Sequence, residues 1–302
     1  MPLKSSLHVN QLLSNVSVAY QNAEYIADKL FPTIPVVKDT DLYRVYDRNF
    51  KVPETKRAPK GVAKEFSFDF STSSYALEQH AQKDYVGVDE EQQNDQGSLQ
   101  VDTTEALTDV LLRRKELMMA ALFTKTSWSL QVSLAAANAF NANTTVSDPV
   151  PIFDTGATTV ISNSGKTPNF GYMPRPEFVA VKNHISVLDR VKYTSSEVSQ
   201  AMIQALIGIG ELHIPTAIQD TAAEGIAFSG SAFFANNCFI GWKPGNGGGI
   251  KTPSCGYTFQ SSAPRVRSWF DNERSATAIE VEMKVQPKVV ASLTGYLISG
   301  TT

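Results

Sequence analysis

Side chains that could carry catalysis are present in this chain, but their spacing does not fit a catalytic or metal-binding site. The four histidines lie far apart, at His8, His80, His184 and His213. Zinc sites and general bases need partners at defined positions, and these histidines lack them. The two cysteines, Cys238 and Cys255, are too distant for a CxxC pair. We expect packed or surface histidines, and free buried cysteines with a single bridge as the alternative.

Glycine-rich and acidic stretches also depart from known ligand-binding motifs. Gly208-Ile209-Gly210 lacks the third glycine of a dinucleotide loop and follows a predicted helix instead of a strand. The run 247–249 lacks the lysine and hydroxyl residue that complete a phosphate loop. The acids of residues 84–95 do not have EF-hand spacing, and no GxSxG elbow occurs. The sequence therefore predicts no enzyme activity, no cofactor and no metal.

Length and composition narrow the class further. The chain has 302 residues, which corresponds to about two domains or to one domain with large excursions. A net charge of −3 argues against a general nucleic-acid binder. No segment approaches transmembrane length, and the start has no apolar core of a signal peptide. We expect a soluble protein of a reducing compartment that contacts no membrane.

The strongest structural signal is a helix over residues 102–124, which we call the spine helix. Asp102 and Glu105 have the spacing of a helix-capping pair. Apolar residues then recur at three and four, as in a helix buried on one side. Three basic residues, Arg113, Arg114 and Lys115, interrupt that face. In the assembly implied by the resemblance given below, they are candidates for contact with another subunit or with DNA.

A long hairpin is predicted over residues 39–75. Alternating apolar residues indicate two strands, and between them lies a stretch with six basic residues and one acid. An isolated two-stranded hairpin is marginally stable, so it needs a partner. We predict contact with an acidic neighbour, for which Asp89, Glu90 and Glu91 are candidates; a solvated flexible loop is the alternative. The basic residues are Arg48, Lys51, Lys56, Arg57, Lys60 and Lys64.

The remaining chain predicts a mixed α+β fold. Residues 76–101 are interpreted as a solvated approach to the spine helix, and 128–140 as a second helical piece. Residues 141–177 are rich in Thr, Asn, Pro and Gly, which is typical of turns and short strands. Residues 177–181 have the composition of a buried strand. From residue 266 onward, clean alternation predicts further strands.

The order of these predicted elements, together with several short sequence strings, resembles that of the major capsid proteins of tailed bacteriophages, which have the Hong Kong 97-type fold. No single string is specific, but their order covers nearly the whole chain. The strings are LLRRKE at 111–116, FVAVKN at 178–183, DRVKYT at 189–194, ELHIPT at 211–216, QDTA at 219–222, GYTF at 256–259, the stretch 265–273 and GYLI at 295–298.

The resemblance implies an architecture. Residues 1–38 would be an N-terminal arm, and 39–75 an extended β-hairpin loop over a neighbouring subunit. The peripheral domain, with the spine helix, would comprise 76–177 and 266–302. The axial domain would comprise 178–265. The implied function is self-assembly, as pentamers and hexamers, into an icosahedral head that encloses double-stranded DNA.

The resemblance also implies partners and a location. The chain begins at Met1 without the cleaved scaffolding segment of some relatives, so we expect a separate scaffolding protein. A portal protein and a decoration protein are further expected partners, with non-specific proximity to the packaged DNA. The protein would be assembled in the host cytoplasm and located in the virion.

Three other interpretations stay open at this point. An encapsulin-like nanocompartment would use the same fold around an enzyme cargo. A soluble α/β enzyme or binding module would be a monomer or a small oligomer. A tail tube protein would form rings or rods. Electron microscopy of the purified protein would separate them.

Overall fold

A computed structural model describes residues 25–46, 55–57, 61–62, 65, 70–94, 97–192, 198–223, 225–245, 254–261 and 263–301. It contains helices and strands interleaved along the chain, which confirms the predicted mixed α+β class. The helices are α1 Ala27–Leu30, α2 Val88–Gln92, α3 Leu99–Ala120, α4 Pro149–Ser164, α5 Arg175–Lys182, α6 Ile185–Val191 and α7 Gln200–Ile207. The strands are β1 Thr33–Pro35, β2 Thr40–Tyr46, β3 Phe70–Ala76, β4 Glu78–Gly87, β5 Gln131–Ser133, β6 Phe170–Tyr172, β7 Glu211–His213, β8 Ile218–Asp220, β9 Gly230–Ala232, β10 Asn237–Gly241, β11 Gly256–Gln260, β12 Arg265–Asp271, β13 Ala276–Val289 and β14 Gly295–Ser299.

The first sheet is built around β13, which has 14 residues. Strand β4 pairs antiparallel with β13 along one edge. Along the other edge, β12 and β11 pair with successive parts of β13, and β1 joins β11 in parallel. The alternation predicted after residue 266 is therefore confirmed.

Helix α3 is the spine helix, and it packs across β13 and β4. Leu107 and Leu111 enter a core with Val281 and its neighbours. The helix begins at Leu99 and ends at Ala120 instead of spanning 102–124, and Ser98 precedes it without a side-chain cap. The Asp102 cap was therefore wrong.

The second sheet has the strand order β5-β14-β10-β6-β7 and is covered by helices α4 to α7. Residues 131–172 belong to this sheet and its helices, although they precede the predicted domain boundary at 178. An aromatic cluster lies between the sheets. Phe123, from the turn after α3, contacts Phe239 edge-on at 4.9 Å between ring centroids, and Trp128 lies 4.4 Å from Phe239.

Three local predictions were wrong. Residues 149–164 form a helix instead of turns, because Asp148 accepts a hydrogen bond from the Val150 N–H and Pro149 occupies the first turn. Residues 177–181 lie in helix α5 and not in a strand, since Phe178 and Val181 are buried three positions apart. Residues 128–140 hold β5 and 3₁₀ turns instead of a second helical piece.

Residues 78–87, interpreted as part of a solvated approach, form the edge strand β4 instead. Most of its side chains are exposed. A strand with one neighbour and little apolar burial resembles a loop in composition, and only its pairing with β13 makes it a strand.

Candidate assembly surfaces

One serine–histidine pair is present, and its geometry is structural. Ser147 Oγ lies 3.0 Å from His184 Nε2, and both side chains are fully buried. The backbone N–H of Ser186 donates to His184 Nδ1 at 3.2 Å, which leaves the ring proton on Nε2. A histidine that donates to serine cannot remove the serine proton. The pair fixes the start of α6.

The other candidates for chemistry also have structural roles. Cys238 and Cys255 are free and buried, as predicted, and burial raises the pKa of the Cys255 thiol to about 12. Gly208 ends α7 in the left-handed conformation, while 247–249 lie outside the described residues. Across the described ranges, no group of three His, Cys, Asp or Glu could hold a metal ion. None of the helices described above has the length and apolarity to span a membrane.

The predicted hairpin consists of β2 and β3, which pair antiparallel from Thr40↔Ala76 to Tyr46↔Phe70. Its base is fixed to the first sheet by aromatic rings. Tyr75 stacks on Phe259 with centroids 4.6 Å apart, and Tyr43 lies 5.5 Å from the same ring. The backbone N–H of Ala76 also donates to the Gln286 side chain at 2.8 Å. The β2–β3 pair is therefore anchored to the first sheet.

The charged ends of the predicted hairpin contact are only partly described. Lys56 and Arg57 are exposed, whereas Arg48, Lys51, Lys60 and Lys64 lie outside the described residues. The acidic candidates lie on α2, between β4 and the spine helix. Asp89 is exposed, Glu90 accepts a hydrogen bond from the Gly87 N–H at 3.0 Å, and Glu91 accepts one from Ser98 Oγ at 3.3 Å. Their pairing with a neighbour's hairpin stays a prediction.

Polar groups on the spine helix hold the arm. Buried Glu116 accepts hydrogen bonds from the backbone N–H groups of Ile26 (3.1 Å) and Ala27 (2.9 Å), which are the first groups of α1. Tyr25 donates to Asp109 Oδ1 at 2.8 Å. Below them, Leu30 and Phe31 are buried in the aromatic cluster. Residues 25–31 are therefore an integral part of the subunit.

The three basic residues of the spine helix have different surroundings. Lys115 is buried and its ammonium lies 2.5 Å from Asp28 Oδ1, so its charge is used within the chain. Arg113 is half-exposed and pairs with Asp109 one turn earlier. Arg114 is exposed. Of the three, Arg113 and Arg114 are the ones that a neighbour can reach.

Sequence reasoning missed this attachment of the arm. The sequence predicted residues 1–38 as an arm but gave no attachment point, and the predicted buried face rested on apolar residues alone, although Val110 on this helix is exposed. The buried row instead includes Thr104, Thr108, Lys115 and Glu116. A signal was present in the sequence, because these polar residues recur at helical spacing with Leu107, Leu111 and Met119.

Comparison with known proteins gives relatives along almost the entire chain. No protein-family model matches the sequence. It is 22% identical to the major capsid protein of Burkholderia phage BcepMu, over 97% of this chain and 96% of that protein. It is 24% identical to the major capsid protein of Pseudomonas phage JBD67, over 70% of each.

Solved structures share the fold. A phage-related protein from Bordetella bronchiseptica RB50 superposes with a TM-score of 0.80 at 23% identity and covers 98% of both chains. The capsid of cyanophage P-SCSP1u gives 0.63 at 10% identity, with 93% of this chain and 89% of that chain covered. A virus-like particle from Pyrococcus furiosus gives 0.58 at 9% identity, over 95% and 96%.

These comparisons confirm the resemblance predicted from the sequence. The chain is a relative of phage major capsid proteins, and its mixed α+β fold is shared with phage capsids. The named relatives are structural proteins and not enzymes, in agreement with the absence of a catalytic arrangement among the described residues.

Proposed function

We propose that the chain is the major capsid protein of a tailed phage, with the Hong Kong 97-type fold. Copies would assemble as pentamers and hexamers into an icosahedral head around packaged double-stranded DNA. The observation that carries the proposal is the match to a curated major capsid protein over 97% of this chain and 96% of that protein. A match of that extent leaves little of either chain for a different architecture.

The geometry supports this role. The β2–β3 hairpin is anchored to the first sheet, and Lys56 and Arg57 between its strands are exposed, which suits contact across a subunit boundary. We assign the first sheet with the spine helix to the peripheral domain, and the second sheet with its helices to the axial domain that the sequence predicted over 178–265. On this assignment the chain enters the axial unit near residue 130, returns to the first sheet at β11 and rejoins the second sheet at β14.

The assembly partners of this proposal follow from its class. A separate scaffolding protein would guide assembly in the host cytoplasm, and a portal protein would occupy one vertex. A decoration protein is an optional addition to the finished head. Contact with DNA would be non-specific, since the chain as a whole carries a net charge of −3.

An encapsulin-like shell is the second candidate, favoured by the likeness to a virus-like particle from Pyrococcus furiosus. Both candidates predict closed particles. Their contents differ, because a phage head co-produced with its packaging proteins encloses DNA and a nanocompartment encloses a protein cargo. Nuclease-protected DNA in purified particles would favour the phage head, and an enclosed enzyme without DNA would favour the compartment.

Velocity sedimentation tests the proposal. The monomer has a mass of 33.0 kDa, whereas a closed shell contains many copies and sediments far faster. We expect a fast, homogeneous boundary, with round shells in negative-stain images of that fraction. Protein that remains a monomer or a small oligomer, alone and with its scaffolding protein, would refute the proposal.

A further inference from the structure

The hairpin of β8 and β9 carries an exposed apolar tip. Phe228 is 66% exposed, Ile226 68% and Ile218 53%. The ring of Phe228 lies over Gly230, where an added Cβ would be 2.9 Å from the ring, and Ile218 Cδ1 borders the same position. The ring therefore packs on its own hairpin beside Gly230, yet most of its surface remains uncovered.

The tip is held in shape by its own hydrogen bonds. Asp220 Oδ1 accepts from the N–H groups of Ala222 (2.9 Å) and Ser229 (3.0 Å), and these bonds lower the pKa of its carboxyl. The Thr221 N–H donates to the Ser229 carbonyl at 3.0 Å. Residues held by such bonds lose less entropy when they bind, so the apolar side chains beside them are suited to contact a partner.

A concave surface lies beside helix α5 and the turn at residues 140–143. A pocket of about 430 Å³ is lined by Phe140, Pro176, Val179 and Ala180, with Asn141 and Asn143 among its polar residues. Val179 is 40% exposed, and Ile185 and Leu188 on the adjoining α6 are nearly half exposed. Its volume lies within the range of pockets that bind side-chain-sized groups.

We propose that the β8–β9 tip of one subunit inserts Phe228 into the α5–α6 pocket of a second copy of this chain. The apolar tip is complementary to the apolar part of the pocket, formed by Phe140, Pro176, Val179 and Ala180, and an aromatic anchor in a pocket is the usual centre of a binding surface. The proposal rests on the proposed shell function, which supplies the neighbouring copies.

The arrangement dictates the symmetry of the contact. The tip and the pocket are different surfaces, so the contact is head-to-tail, and a head-to-tail contact closes into a ring when its rotation allows. The same contact, with slightly different rotation, can serve rings of five and of six. Phe228 and Val179 thereby become specific contact residues of the capsomer.

Cross-linking of introduced cysteines tests this contact. The native thiols of Cys238 and Cys255 are buried with raised pKa values, so they do not compete for a thiol reagent. Assembled particles of the F228C/V179C variant are treated with a short bismaleimide. We expect a ladder of covalent multimers on a denaturing gel that ends at five and six copies. The matched control is F228C/F270C, because Phe270 is 53% exposed, more than Val179 at 40%, but lies on β12 of the first sheet; it should remain monomeric.

The outcomes separate the contact from the shell function. If wild-type protein forms shells and F228C/V179C gives no ladder, the contact is refuted and the shell function stands. If wild-type protein forms no shells, the shell function itself fails. Should the double variant not assemble, hydrogen exchange in wild-type shells decides. Slower exchange than in free subunits at both 226–229 and 176–188 supports the contact, and unchanged exchange at either refutes it.

Discussion

The packing of Phe31 on Gly256 tests how the arm is attached to the subunit. Phe31 is fully buried, and a Cβ added to Gly256 would lie 2.2 Å from its ring. Phe31→Ala removes a buried ring and should lower the free energy of unfolding by about 3–5 kcal/mol. Gly256→Ala overfills the same contact and should cost about 1–3 kcal/mol.

The F31A/G256A double variant should lose less free energy of unfolding than the two single variants lose together. Without the ring, the new methyl at position 256 has no clash and fills part of the space. We therefore expect the F31A/G256A variant to lose about 3–4 kcal/mol of unfolding free energy, with a favourable coupling of about 1–4 kcal/mol. Urea unfolding of dissociated subunits measures it, and Trp128 in the same cluster supplies the fluorescence signal.

A matched control uses Phe228, which is exposed and distant from Gly256. The F228A/G256A pair should be additive within about 0.5 kcal/mol. Additivity in the F31A/G256A pair as well would mean that the arm does not pack on β11, and this account of its attachment would be wrong.

Three further changes test the charged groups. Reversal of Lys56 and Arg57 to glutamate should reduce the yield of shells in sedimentation at least ten-fold and leave the circular dichroism of the subunit unchanged. The control variant is K125E/K192E. A normal yield from the hairpin variant, or an equal loss in the control, would refute a role of the hairpin charge. Arg114→Glu should impair assembly more than subunit unfolding, whereas Arg114→Gln should be milder; an unfolded R114E subunit would indicate an internal role instead. Burial raises the pKa of Glu116 above its ordinary 4.5, so the folded state holds its proton at higher pH than the unfolded state. Subunit stability should therefore fall as pH rises through the range just above 4.5, and Glu116→Gln should remove that slope; an identical slope in the variant would contradict the assignment.

The parts of the fold that were predictable are those whose pattern is local. Alternation identified β2 and β13 because each presents one apolar face to a core. The spine helix was found because 22 residues contain neither glycine nor proline. The burial of Leu107 and Leu111 follows from the apolar spacing. The burial of Glu116 and Lys115 does not, since the groups that they bind lie 87 to 90 residues earlier in the chain.

Helix α4 shows why the rest could not be predicted. Its Thr and Ser residues suggested turns, yet their hydroxyls donate to carbonyls four residues earlier, as Thr155 does to Pro151 at 2.7 Å. Hydroxyls that bond within the helix no longer compete with it. Apolar residues such as Phe153 and Val160 then bury one face against the second sheet. This burial depends on strands that lie far away in the sequence.

The assembly surfaces were partly predictable for the same reason. The basic hairpin is visible as a charge pattern between two alternating strands. The tip at Phe228 and the pocket at Val179 lie in segments of unremarkable composition, and only the tertiary structure leaves these side chains exposed. Residues 177–181 were even interpreted as a buried strand, which would have hidden Val179.

A cryo-electron microscopy reconstruction of the assembled protein tests the central claim most directly. The account predicts a closed icosahedral shell of five- and six-membered rings, with the β2–β3 hairpin over an adjacent subunit and the β8–β9 tip in the pocket of the next copy. Rods, open sheets, or protein that remains in small soluble oligomers with its scaffolding protein present would contradict it.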